Sequence, residues 1–199
     1  VTAKMRVLDV ATGTGQVARA LLTILDKSEQ IECVEPSTGM IEEAKTRVPV
    51  TFHQSTAENL PVEDESFDFL TMGFALRHVD SLGDSFREFH RVLKQGGKVL
   101  IMDVTVPEGR VSKLLFRLYF KHILPTVSMI FTRDRNVFRL MRYYWESMDQ
   151  MVPIDSVLDD LKANAVLFRP DRYLAKSAIS LVKTAALVTT RNQLFGAKV

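Results

Sequence analysis

Apolar and polar positions along the chain follow two alternating periods. Short, nearly continuous apolar runs at Met5–Ala11, Ile31–Glu35, Val50–Gln54, Phe67–Gly73 and Lys98–Val106 read as strands, the densest of them suited to burial on both faces. Between them lie segments of helical period. Gln16–Leu25 gathers Val17, Ala20, Leu21, Ile24 and Leu25 on one side. A helix begins at Pro36-Ser37, with Ser37 as N-cap and Glu42 and Glu43 in its early turns. Leu82–Leu93 lines up Phe86, Phe89, His90 and Leu93; Gln95-Gly96-Gly97 then reads as a tight turn, and Pro107-Glu108-Gly109 closes strand five. Strands alternating with helices predict an α/β domain with a doubly wound, mostly parallel sheet whose ligand sits at the strand carboxyl ends.

Beyond strand five the period is helical. Val111–Leu124 reads as a basic helix broken by Pro125, Asn136–Met151 as a second helix ended by Pro153, and Asp155–Ala165 as a third, amphipathic one. Residues 110–152 form a basic, aromatic helical insertion within a single domain of 1–199; no repeat, low-complexity stretch or linker divides it. Tyr173–Val188 reads as a helix or as two strands with a turn, the strands preferred by analogy.

Composition changes this picture in three places. With 46% hydrophobic and 25% charged residues the chain suits one globular core. Cys33, the single cysteine, excludes a disulfide framework or cysteine zinc site and reads as a buried residue of strand two; the four histidines show no metal-ligand spacing, so no metal is expected. The net charge of +2 hides an asymmetry: eight of the 26 Lys/Arg but one of the 24 acids, Asp134, fall within 110–142. No signal peptide or membrane-long apolar run is read, so a cytoplasmic protein is expected, peripheral to a membrane at most; the chain opens on Val1 almost at strand one, and an upstream segment is expected to be missing.

The chemistry concentrates in Val7–Gly15. An apolar strand runs into small residues and two glycines and then a helix, the form of a nucleotide-type pocket. Gly13, Gly15 and Ala18 match the dinucleotide pattern G-x-G-x-x-A, and Glu35 lies where a ribose carboxylate is expected. Asp9 argues for a different ligand. A carboxylate inside the strand needs a cationic or donor partner, which an ammonium-bearing ligand supplies and a pyrophosphate does not.

Four motifs carry a resemblance: Leu8–Gly15; Val34–Met40; Thr56-Ala57-Glu58-Asn59-Leu60-Pro61; and Gly73–Val79 followed by Arg91–Gly97. The chain resembles the class I S-adenosylmethionine-dependent methyltransferases, and within them the C-methyltransferases of ubiquinone and menaquinone biosynthesis. The narrower likeness rests on Leu76-Arg77, Tyr119 through Pro125, and Tyr144 through Met148. Gln16, His78 and Gln95 depart from the group, which usually has Asp, Asn and Pro there.

The resemblance implies a Rossmann-like, seven-stranded methyltransferase fold and S-adenosyl-L-methionine as cofactor. Asp9 and the loop Ala11, Gly13, Thr14 and Gly15 would hold its methionine part, and Glu35 its ribose hydroxyls. Met40 would pack on the adenine, Thr56 and Ala57 would meet the adenine edge with Glu58 beside them, and Gly73 would line the sulfonium. Arg77 would stabilise a phenolate and His78 take its proton. Plainer readings stand beside these: Glu35 as a strand-end acid, Met40 as core, Glu58 as a solvated loop charge, Arg77 as an ion pair and His78 as a structural histidine. The implied activity is C-methylation of a quinol or demethylquinone-type ring; O- or N-methylation of another small acceptor and a non-catalytic scaffold subunit are the alternatives. The expected partners are a small apolar aromatic substrate covered by the basic block as a lid, an anionic membrane surface met through 110–142, and a second copy in a homodimer. No nucleic acid is expected.

Overall fold

In the computed structural model, residues 1–103, 109–133, 135–149, 157 and 185–189 are described. They form one six-stranded sheet of order β3-β2-β1-β4-β5-β6. The strands are β1 (Val7–Val10), β2 (Ile31–Val34), β3 (Thr51–His53), β4 (Phe67–Gly73), β5 (Leu93–Met102) and β6 (Ala185–Thr189). The first five are parallel and β6 pairs antiparallel with β5. The remainder of the expected Tyr173–Val188 hairpin, with the seventh strand, lies outside the described residues, as does the helix Asp155–Ala165 apart from the buried Val157.

The parallel core follows from its side chains. Val7, Leu8, Asp9 and Val10 are all fully buried, as a central strand covered on both faces requires. Leu8 and Val10 join Leu70, Met72, Phe86, Phe89 and Val92 on one face, against helix α3 (Leu82–Val92). Val7 joins Ala18, Leu21, Ile31 and Cys33 on the other, against α1 (Gln16–Leu21). Cys33 is in strand two and buried, as read. Helix α2 (Thr38–Lys45) is capped as expected by Ser37, whose hydroxyl accepts from the Met40 N–H, and α3 by Ser81, which accepts from Asp84. Between β1 and β4 the strand order reverses, which opens a crevice at their carboxyl ends.

Three expectations are corrected. Gln95-Gly96-Gly97 turns the chain inside strand five and not before it. Phe67 pairs with Leu93 and Phe69 with Lys98, so Lys94–Gly97 form a bulge in which Gly96 takes φ +80°. Nor does Pro125 break the helix after strand five. Helix α4 (Arg110–Leu118) passes through a π-helical turn, Tyr119–Ile123, into α5 (Leu124–Thr132), with Pro125 in its first turn. The wide turn accommodates the missing N–H and the ring that a regular helix would reject. The run Arg110–Thr132 is thereby a single rod of 23 residues, long and apolar enough to cross a membrane by length and composition, contrary to the expectation from sequence. Helix α6 (Arg135–Asp149) folds back beside α5; Trp145 is buried and meets Phe116, which stacks on Phe120.

Candidate active site

The loop after β1 gains its shape from three residues in left-handed conformation, Ala11 (φ 53°), Gly13 (φ 57°) and Gly15 (φ 81°). The two glycines serve different ends. A Cβ on Gly15 would stand 2.9 Å from Val48 Cγ2 and 3.4 Å from the Ala44 Cβ, so its absence lets α1 start close against α2. A Cβ on Gly13 would meet only the Met40 sulfur, at 4.0 Å, so this glycine faces open space. Met40 is itself 46% exposed on the far side of that space, not in the core.

Glu35 ties the loop down. Its Oε2 accepts from the Gly13 N–H (2.9 Å) and its Oε1 from the Ser37 N–H (3.0 Å), while the Thr12 N–H reaches the Val34 carbonyl (3.2 Å). The carboxylate is 5% exposed, and each oxygen retains acceptor capacity beyond its one bond. Asp9 is closed in completely. The hydroxyls of Thr12 and Thr71 each donate to one of its oxygens at 2.6 Å, so the partner that burial demands comes from within the protein. Burial pushes its carboxyl up to about 6, against the opposing pull of those hydroxyls and of the Ala18 backbone. Thr14 is half-buried in the loop.

The segment Thr56–Leu60 is braced from α3. Glu58 accepts from the backbone N–H groups of Asp80 (2.8 Å) and Ser81 (3.3 Å). Burial raises its carboxyl, but the Thr56 hydroxyl and these backbone donors outweigh it and hold the group below the usual range. Its visible task is to anchor the loop, leaving Thr56 exposed above the buried Ala57. Arg91, which sequence reasoning treated only as a motif letter, clamps the other end. Its guanidinium donates to the carbonyls of Leu60 (2.8 Å) and Val62 (2.9 Å) and pairs with Glu88 and Asp64.

At the β4 end, Gly73 lies under Val17, whose Cγ2 would be 3.1 Å from an added Cβ. Phe74 follows at φ 58° with its N–H on the Met102 carbonyl (2.6 Å), and the turn Leu76–His78 places Arg77 inward and His78 outward. The Arg77 side chain is 9% exposed and donates from Nη1 to Asp103 Oδ1 at 3.0 Å; its Nε is buried with no hydrogen-bond partner. The structure thus separates the two expected catalytic residues. Asp103 was missed by sequence reasoning, although the signal that marked Glu35, an acid directly after an apolar strand, also marks it.

Glu35 and the Ala11–Gly15 loop follow β2 and β1, Gly73 ends β4 and Asp103 follows β5, four neighbours along one edge. At about 4.8 Å per strand this edge spans roughly 14 Å, room for an extended ligand with a diol at one end and a reacting group at the other. The fold and edge define a doubly wound α/β protein with a nucleoside-type crevice. The comparisons narrow the class: the chain belongs to the ubiE/COQ5 methyltransferase family, whose model matches residues 1–173. It is 36% identical over 130 residues to the demethylmenaquinone methyltransferase of Chlorobaculum parvum, covering 65% of this chain and 53% of that protein. It is 29% identical over 168 residues to the ubiquinone/menaquinone biosynthesis C-methyltransferase UbiE of Shewanella oneidensis, covering 81% and 65%. The chain spans little more than half the length of the first of these. Among solved structures it resembles a SAM-dependent methyltransferase from Aquifex aeolicus (TM-score 0.61, 16% identity, 95% of this chain and 82% of that one). It also resembles YcgJ from Bacillus subtilis (TM-score 0.55, 23%, 96% and 94%). These likenesses bear out the Rossmann-like methyltransferase fold.

Proposed function

We propose that this chain forms the S-adenosylmethionine-binding part of an enzyme that C-methylates a quinol-type ring in quinone biosynthesis. The observation that carries the reading is the order of groups along the edge. An acceptor-rich carboxylate beside an open glycine stands two strands from a buried guanidinium with a spare donor. The residues fit the cofactor. Glu35 has lone pairs left for two ribose hydroxyls, Gly13 leaves room beside it, Met40 offers a polarizable face for a base, and the Thr56–Ala57 backbone would meet the adenine edge.

When bound, S-adenosylmethionine supplies an electrophilic methyl group on a sulfonium. The protein's part is to position and exclude water, and to favour the ionised acceptor. A ring carbon becomes nucleophilic when a ring hydroxyl loses its proton. Arg77 answers that charge: Asp103 holds the guanidinium through Nη1, and the buried Nε–H is free to donate to a phenolate oxygen. His78, on the outer side of the same turn, is placed to pass the proton to solvent.

Calorimetry against S-adenosylhomocysteine and NAD, followed by mass spectrometry of a short-chain demethylnaphthoquinol incubated with S-adenosylmethionine, tests the reading. Binding of the first nucleoside, none of NAD, and a methyl group on a ring carbon are expected. A methyl on oxygen would overturn the quinol chemistry, and binding without transfer to any acceptor would favour a non-catalytic subunit.

A further inference from the structure

The rod Arg110–Thr132 turns Phe116 and Phe120 toward the protein and an aliphatic side outward, where Phe131 is exposed as well. Phe116 and Phe120 are half-buried, with Phe116 turned to Trp145. Val111, Leu114, Leu115 and Leu118, at spacings of three and four, form an outward stripe with exposures of 71%, 65%, 60% and 49%. The stripe continues through Ile123, Val127 and Ile130, all exposed. In an unbroken α-helix these three would turn to the opposite side. The wider π turn at Tyr119–Ile123 rotates them back toward Leu114 and Leu118. A lid closing over an apolar acceptor would hold such a stripe inside, whereas here only 6% of the most apolar stretch is buried.

Charge identifies what covers it. Arg110, Lys113, Arg117 and Lys121 run along the flank at the same three- and four-residue spacing, Arg133 follows, and no acid occurs from 110 to 133, although the rest of the chain carries an acidic excess. An aliphatic stripe bordered by cations on one side is the pattern of a helix lying in the headgroup region of an anionic bilayer. A spanning orientation is opposed by Arg117 and Lys121 at mid-length and by α6 packed back beside α5 with exposed Arg139 and Arg142. We infer that the outer face of Arg110–Thr132 docks in the plane of an anionic lipid surface.

The test is flotation of the unmodified chain with extruded vesicles, without cofactor or acceptor, so its outcome is independent of the methyl-transfer reading. The vesicles are phosphatidylcholine alone, or the same with about 30 mol% phosphatidylglycerol. The chain is expected to float with the anionic vesicles, less so as salt rises, and to stay in solution with the neutral ones. Lys113→Gln combined with Arg117→Gln should weaken partitioning about 25-fold, roughly five-fold per charge. Leu114→Gln combined with Leu118→Gln should abolish it, with helical circular dichroism and Trp145 emission unchanged. Failure of the unmodified chain to float with anionic vesicles, or equal, salt-independent flotation with both kinds, would overturn the inference. So would a dimer in sedimentation velocity that the Leu114/Leu118 variant converts to monomer while lipid partitioning stays the same; the stripe would then belong to a second copy.

Discussion

Strand β1 and helix α4 read alike as apolar stretches, yet they end in opposite surroundings. All four residues of β1 are fully buried between two parallel neighbours, and its one carboxylate is met by two hydroxyls. In α4 no residue is buried, and its aliphatic side faces out. Apolar content therefore reports what a segment will exclude from water, while the partner that completes the exclusion is set elsewhere. For β1 that partner is within the chain. For α4 the described residues cover only the aromatic side.

The sharpest way to break this comparison is to disturb the region that is closed on itself. Gly15→Val places a branched side chain at φ 81° and 2.9 Å from Val48 Cγ2. Left-handed strain and overpacking together should cost about 4 kcal/mol in urea denaturation. Gly13→Ala, at φ 57° but facing open space, should cost about 1 kcal/mol and instead weaken nucleoside binding in calorimetry. Equal stability losses would show that the two glycines share one role.

Asp9 gives the next effect. Its carboxyl is raised from 3.8 to about 6 in the folded protein, so between those pH values the native state keeps a proton that the unfolded chain releases. Stability then falls as pH rises through that interval and levels off above it. At 1.36 kcal/mol per pH unit the loss is about 3 kcal/mol. Urea midpoints at pH 4 and pH 7 should show this loss, and Asp9→Asn, which keeps the shape without the charge, should flatten it.

Much of the closed region was legible in the sequence because its determinants are local. Continuous apolar runs gave β1, β2 and β4, Ser37 gave the start of α2, and the acid after strand two gave Glu35. What escaped reading depends on pairing across the fold. The bulge at Lys94–Gly97 follows from its register against Phe67 and Phe69. The packing of Gly15 under Val48 escaped reading because nothing local reveals it. Pro125 looked like a helix end because the π turn that accepts it has no periodic signature. The partner of Asp9 was sought in a ligand because Thr71 lies 62 residues away.

Between the two extremes lies Arg91, whose guanidinium holds the Leu60 and Val62 carbonyls and two carboxylates at partial exposure. Arg91→Ala should cost about 2 kcal/mol by leaving those carbonyls and Glu88 short of donors. It should also loosen the Thr56–Leu60 segment, seen as faster amide hydrogen exchange there. Exchange unchanged in that segment would assign the loop's rigidity to Glu58 alone.

The smallest expected effect sharpens the comparison most. Leu114→Gln removes an aliphatic side chain from α4 at 65% exposure, so little apolar area returns to water on unfolding and helix propensity barely changes. The change in stability should stay within about 0.5 kcal/mol. Leu70→Ala in the closed core, fully buried on β4, should cost about 3 kcal/mol in the same assay. A loss at Leu114 approaching that at Leu70 would mean that another part of the same molecule packs over the stripe. The two regions would then differ only in how far along the chain the partner lies. A near-zero loss leaves the aliphatic face of α4 as surface that the fold itself does not cover.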